Sequence, residues 1–313
     1  MASSLRNTLA AFTGVSLLLW MQLYQSDLWQ TQGEHELLVS AAKDQKLDSA
    51  KSLQSIGQSQ PGRHLLSEED KSKLKSFGVK KLRKIFKPFF NTQTKTQIMD
   101  SLKVLTDALD VAGVEYFMYG GSLIGSWRHH DIIPWDDDID IIVNISDWRS
   151  IESINISGYT LNIRTLNRYK FYSNNATDIP GYFWKWPYID VCFFGDNGTH
   201  LFDMDPNFSK TFLYDKADVF PLKRRPFGKL NLKTPKNTEK ILNQNYDISE
   251  CETRAYDHQR QKSLHKENIT TIDCRLLHRI YPFAFRSSLD KAEESVYLDH
   301  RLIKTVNLNA IQS

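Results

Sequence analysis

Four aspartates, Asp136, Asp137, Asp138 and Asp140, fall within one short span, and a further carboxylate, Asp190, stands alone in an apolar run. Carboxylates this close raise one another's pKa unless positive charge lies between them. A hard divalent cation, Mg²⁺ or Mn²⁺, supplies that charge through oxygen ligands. If the strand begins early enough, alternation puts Asp136, Asp138 and Asp140 on one face, while Ile139 and Ile141 turn to a core. By the same rule Asp137 points to the opposite face at the strand's start and is expected to matter much less. Upstream stand Gly120, Gly121 and Ser122. Paired glycines let a backbone approach a phosphate, and a helix behind them offers free N–H groups and a positive dipole end. Arg128 and His129 add donors for phosphate oxygens. The chemistry this set could do is that of a metal-bound phosphate ester. An EF-hand fails, because its required Gly is Ile141 and its bidentate Glu is Asp147. An acidic run alone is most often a solvated loop; the order strand, Gly-Gly-Ser, helix, acidic strand is far more specific.

The elements that must hold these groups are legible in outline. Val114–Tyr119 is β-rich and reads as a strand broken by Gly120-Gly121, with Ser122 expected to cap a short helix. Pro134-Trp135 lead into the acidic run and the strand Ile139–Val143. Ile98, Leu102, Leu105, Leu109 and Ala112 follow a 3.6-residue period, so Thr94–Gly113 is expected to be a helix ended by Gly113. A lone Asp190 inside Trp186–Phe194 is costly unless paired or metal-bound, which places that strand beside the acidic one. Val114–Tyr119, Asp138–Val143 and Tyr188–Phe194 should then share one sheet, with Asp138, Asp140 and Asp190 converging at one rim. Asp147–Glu152 reads as a short helix. Tyr159–Leu166 and Arg168–Tyr172 read as strands joined by a turn at Asn167. Tyr182, Phe183, Trp184, Trp186 and Tyr188 could stack on a base or sugar, although packing beneath a loop is the expectation for most. Lys223, Arg224, Arg225, Lys229, Lys233 and Lys236 are candidates for a second phosphate or a solvated basic face. Thr238 is expected to cap a helix running to Asn245.

Gly121 to Gly125, Arg128-His129 and Ile133 to Asp140 together resemble the signature of the LicD/fukutin family. Asp131 departs from it, where many members carry Gly. The resemblance continues at Asp190, in an apolar-Asp-apolar strand, and through Phe220-Pro221, Phe227-Gly228, Pro235-Lys236-Asn237 and Ile241-Leu242 to Tyr246, with Asp247 as a second departure. It covers about residues 98–246. It implies an α/β (α+β) nucleotidyltransferase-like fold, a mixed β-sheet flanked by helices. It implies transfer of a phosphorylated alditol or choline-type group from a CDP-linked donor onto a glycan or glycoprotein acceptor. Asp138, Asp140 and Asp136 would hold the metal, and Asp190 would be a further ligand or the general base. Arg128 would stabilise charge in transfer, and Gly120, Gly121, Ser122, His129 and Lys236 would bind phosphate. Two rival readings keep the same residues: a nucleotidyltransferase releasing pyrophosphate, and a non-catalytic secretory-pathway protein that binds a glycan or a transferase.

The 313-residue chain has room for one large domain with appendages, and 41% apolar residues allow a real core. A net charge of +3 is too small to argue for nucleic acid, and no such partner is expected. The three cysteines, Cys192, Cys251 and Cys274, show no zinc spacing; a Cys251–Cys274 bridge is one reading, and free or buried thiols are slightly favoured. Asn7 to Ser26 carries no charge, and Leu9–Leu23 is largely apolar, near the lower limit for crossing a bilayer. No small-x-small site follows, which favours an uncleaved signal anchor over a signal peptide or a buried soluble helix. Residues 1–26 are therefore expected to cross a Golgi or endoplasmic reticulum membrane once, with 27–92 as a stem, 93–290 as a luminal catalytic domain and 291–313 as a tail. The stem's Lys71 to Lys87 segment reads as a basic amphipathic or solvated helix. Sequons at Asn155, Asn175, Asn197, Asn207 and Asn268 fit luminal exposure, while that at Asn144 lies close to the fold. His258, His265 and His278 show no metal spacing.

Overall fold

Five strands form the central layer of the computed structural model, which describes residues 78–164, 167–286 and 292–312. In spatial order they are Tyr116–Met118, Ile139–Asn144 (the acidic strand), Ile189–Asp196 (the central strand), Arg168–Ser173 and Tyr159–Asn162. The central strand also pairs with His200–Asp203, which pairs with Leu213–Asp215. The acidic and central strands run parallel and their other neighbours antiparallel, so the sheet is mixed. Near-continuous apolar sequence is what a parallel pair covered on both faces requires. Ile139, Ile141, Val143, Ile189 and Val191 are accordingly fully buried.

The helix Thr92–Val111 packs across the Arg168–Ser173 and central strands with Ile98, Leu102, Leu105 and Leu109 buried. It starts earlier than its apolar period suggests because Asn91 Oδ1 accepts from Thr94 N at 2.8 Å. Its end is where Gly113 takes a positive φ of 69°. The helix Gly120–His129 (the glycine helix) is buried from Ser122 through His129. A helix hidden all round must have small residues where neighbours come close. A Cβ at Gly125 would lie 2.5 Å from the carbonyl oxygen of Asp131. The predicted strand Val114–Tyr119 is shorter, at Tyr116–Met118, because Tyr119 already serves as the N-cap of this helix.

Both ends of the described chain join the core. In the short helix Val79–Ile85, Leu82 is buried, and so is Phe86 just beyond it, its ring 5.0 Å from that of Trp135. After residue 290, Glu293–Leu298 and Arg301–Asn307 complete a three-stranded antiparallel sheet with Phe283–Arg286. Cys251 and Cys274 form a disulfide, which corrects the preference for free thiols. The cause is the antiparallel pairing of Glu250–Glu252 with Thr271–Asp273 inside a polar stretch that shows no apolar alternation. Cys192 remains a buried free thiol. The expected membrane anchor and most of the stem lie outside the described residues. Among the described residues no helix is long and apolar enough to cross a membrane.

Candidate functional site

Register decides the site. Asp140 lies directly opposite Asp190 on the neighbouring parallel strand, and Lys170 lies opposite Asp190 on its other side. Paired residues share a face, so Asp140, Asp190 and Lys170 stand in a row across three strands. Asp138 precedes the strand, which begins at Ile139, and reaches the same place by the path of the loop. Oxygens of Asp138, Asp140 and Asp190 all lie within 4.8 Å of one another. Asp136 is not in that set; its carboxylate lies against Gly121.

The glycine helix holds Asp140 from the other side. Ser122 Oγ accepts from Asp140 N at 2.8 Å, and Tyr119 N donates to the Asp140 carbonyl at 3.2 Å. Ser122 is thus inside the helix and does not cap it. Gly120 has φ +51°, and a Cβ there would come 3.3 Å from Asp140 Oδ2; a Cβ on Gly121 would come 2.7 Å from Asp136 Oδ2. Carboxylates therefore crowd both glycines, and at residue 120 the left-handed φ itself favours glycine.

Burial, followed by the charge of Asp190, pushes the Asp140 carboxyl up to about 7. Burial and then Asp140 and Asp136 push Asp138 well above the usual carboxylate range. Asp136 is raised by burial and by Asp137. On binding a cation these carboxyls would give up their protons to solvent: an all-oxygen, mutually repelling donor set fits Mg²⁺ or Mn²⁺.

Three residues that the sequence does not place at the site complete the arrangement. Lys170 Nζ is 2.6 Å from Asp190 Oδ1, with both side chains buried, and 4.0 Å from the centre of the Tyr188 ring. His258 Nδ1 is 2.8 Å from Asp137 Oδ1 and its Nε2 is 3.1 Å from Asp138 Oδ2. Burial works against charge on His258, but the Asp137 bond and the surrounding carboxylates outweigh it and raise its pKa. Arg254 reaches Asp137 Oδ2 at 3.4 Å. Asp137 is 0% exposed and has buried partners: it anchors His258, which in turn lies against Asp138. Alternation could have found Lys170. Nothing local marks His258, 121 positions from Asp137.

Other predicted donors are used elsewhere. Arg128 NH1 donates to the Glu250 carbonyl at 2.6 Å and lies 3.1 Å from Cys274 Sγ, braced against the disulfide. Burial lowers its pKa to about 10, with Asp136 opposing. His129 Nδ1 is 2.6 Å from the Pro282 carbonyl, its ring 4.5 Å from that of Phe283. Burial, then Arg128, pushes it down to about 3, so it is a neutral core residue. Lys236 is exposed, and the carboxylate its charge acts on is Asp218. Thr238 donates to the Pro235 carbonyl at 2.8 Å from the first turn of Thr238–Asn245 and is not its cap. Arg225 and Lys233 pair with Glu294 and Asp110. Asn155, Asn175, Asn197, Asn207 and Asn268 are all exposed, whereas Asn144 is half-buried and its Oδ1 accepts from Ser146 N.

The site thus sets a glycine-led helix beside clustered carboxylates on adjacent strands of a mixed sheet. Residues 113–237 match the family described as LicD/FKTN/FKRP, nucleotidyltransferase domain. Over 57 residues the chain is 39% identical to the ribitol 5-phosphate transferase FKRP of Homo sapiens and, equally, to that of Mus musculus. That stretch is 18% of this chain and spans 12% of the length of each relative.

Proposed function

We propose that the protein is a metal-dependent phosphotransferase that moves a phosphorylated alditol or choline-type group from a CDP-linked donor onto a glycan. The observation that carries the reading is the convergence of Asp138, Asp140 and Asp190 oxygens within 4.8 Å across two parallel strands. Asp138 and Asp140 hold Mg²⁺ or Mn²⁺, and Asp190, one oxygen held by Lys170, presents the other. When bound, the cation neutralises and orients the donor diphosphate. The backbone N–H groups of Gly120, Gly121 and Ser122 receive donor phosphate at the start of the glycine helix. His258 keeps Asp138 in place, and Ser122 and Tyr119 keep Asp140. In the transfer the acceptor hydroxyl oxygen bonds to phosphorus, the bond to the CMP oxygen breaks, and the hydroxyl proton passes to solvent. The family match over residues 113–237 and the short likeness to FKRP support a transferase of this kind.

The test is incubation of the full-length protein with Mn²⁺, a glycan pool and a panel of CDP-linked alditols and choline. Release of CMP with phosphorylated glycan is the expected result. Pyrophosphate release from a nucleoside triphosphate without CMP release would transfer the reading to nucleotidyl transfer. Tight metal binding with no product from any donor would make it a non-catalytic binder.

The same reading places the domain in the lumen of the Golgi or endoplasmic reticulum, tethered by its N-terminus. Five exposed sequons and a disulfide support an oxidising, glycosylating compartment. Treating the protein from its native membranes with an N-glycosidase should lower its apparent mass. No shift, with recovery in the cytosolic fraction, would refute the placement.

A further inference from the structure

The strand order lays the site out in a line. The glycine helix follows the first strand, Asp140 is on the second, Asp190 on the third and Lys170 on the fourth. Beyond Lys170 the line ends in aromatic rings. Lys170 Nζ is 5.3 Å from the centre of the Trp184 ring, and Trp184 lies 4.8 Å from Tyr182. Both belong to the tip of the hairpin joining Thr177–Asp178 to Lys185–Trp186. The tip is pinned from below: the Phe183 carbonyl accepts from Asn162 Nδ2 at 2.5 Å and from the Tyr172 hydroxyl at 3.3 Å. Asn162 and Tyr172 are buried, yet the side chains they support are not: Phe183 is 70% exposed and Tyr182 is 42% exposed. Trp184 Nε1 is buried with no acceptor among the described residues.

Large rings displayed on a backbone that buried donors hold still are not core packing; Phe183, with the Arg164 guanidinium 5.1 Å from its ring centre, and Tyr182 are exposed aromatic surface of the kind that marks a contact site. We propose that the Tyr182–Trp184 tip is the acceptor subsite, a shelf that stacks a neutral sugar ring of the glycan. A sugar shows an aromatic ring its C–H face and carries hydroxyls around its rim for groups such as the Tyr182 hydroxyl. The side is set by the transfer itself. Attacking and leaving oxygens lie roughly in line on phosphorus. With the donor diphosphate at the glycine helix, the incoming hydroxyl arrives from the opposite, aromatic end. This direction rests on the phosphotransferase reading; the sugar-binding chemistry does not.

The experiment uses the full-length protein, unaltered and as Tyr182→Ala and Phe183→Ala. Binding is read on an array of neutral oligosaccharides ending in pentose, hexose or N-acetylhexosamine, without donor, and CDP binding is read by calorimetry. Both side chains are exposed, and unchanged melting confirms the fold. The expected result is glycan binding weakened about ten-fold in each variant, the loss of one aromatic stack, with CDP affinity unchanged. Tyr182→Phe should retain most of the binding, which a merely polar contact would not. Equal glycan binding by all forms, or none by the unaltered protein, overturns the proposal. Loss of CDP affinity with glycan binding retained overturns it too, and makes the shelf a platform for the base. If no donor is ever turned over but the variants lose glycan, the shelf stands and only the transfer reading falls.

Discussion

Asp140 is fixed by its neighbours before any ligand arrives: its N–H donates to Ser122 Oγ and its carbonyl accepts from Tyr119 N. Asp140→Asn keeps the size and those backbone bonds and removes one charge from a repelling set. We expect it to abolish transfer and Mn²⁺ binding while leaving the metal-free melting temperature unchanged or raised. Asp137→Asn should behave in the opposite way. Its carboxylate is fully buried between His258 and Arg254, and neutralising it strands their charge. A loss of about 2–3 kcal/mol of stability is expected, with activity falling because Asp138 loses its grip. Melting curves with and without Mn²⁺, alongside turnover, separate the two; near-normal turnover by the Asp140 variant would remove it from the chemistry. Asp140 was legible because alternation is a local rule. The role of Asp137 was not, since its partners lie more than a hundred residues away and nothing in their spacing announces them.

The glycine helix is the element on which the site turns. Its glycines serve two purposes, and substitution should tell them apart. A Cβ at Gly121 meets only the end of a flexible carboxylate, Asp136 Oδ2 at 2.7 Å. Gly121→Ala should therefore move Asp136, whose charge acts on Asp138, and so weaken Mn²⁺ binding modestly while leaving melting nearly unchanged. A Cβ at Gly125 meets backbone, the Asp131 carbonyl at 2.5 Å. Gly125→Ala should cost roughly 1–3 kcal/mol by overpacking, with weakened activity only as a consequence of unfolding. Thermal melting and metal titration of both variants check this; a Gly121 variant that melts far lower than the Gly125 variant would contradict the assignment. The order of strand, glycine pair, helix and acidic strand follows from breakers and periodicity. What the helix buries does not. Arg128 and His129 look like phosphate donors beside a glycine loop, but the helix is enclosed on every side and turns them into the interior.

At the scale of the whole molecule, the last strands close over the glycine helix through one buried carboxylate. Glu294 Oε2 is 2.6 Å from His130 Nε2 and 2.6 Å from Arg225 NH2, and Oε1 is 3.0 Å from Arg286 Nε. Burial alone would push Glu294 up, but the His130 bond and the two guanidinium groups outweigh it and hold the carboxyl at about 2. A carboxyl whose folded pKa is depressed stabilises the protein above its ordinary value, and that stability is lost as pH falls from about 4.5 towards 2. His130, lowered first by burial, acts in the same direction, because an unfolded histidine binds its proton at higher pH. A loss on the order of 3 kcal/mol is expected from Glu294 across that window. Glu294→Gln should melt lower than the unaltered protein at pH 7, and the difference should shrink in acid. A difference independent of pH would show that packing, not charge, fastens these strands.

The sequence by itself determined the apolar strands, the long helix, the glycine break and the acidic face, because each depends on periods of two or 3.6 residues and on single-residue backbone preferences. It also determined that Asp190, a charge in an apolar run, had to lie beside another strand of the site. Only the tertiary structure decided register, and with it which groups meet. The row Asp140, Asp190, Lys170 exists because one strand pairs in parallel and another antiparallel. The bridge between Cys251 and Cys274 and the clasp of His258 on Asp137 and Asp138 come from segments with no apolar alternation to read. Burial was decided there as well: whether an arginine or histidine serves a ligand or a core depends on what covers it, and cover is supplied by residues far along the chain.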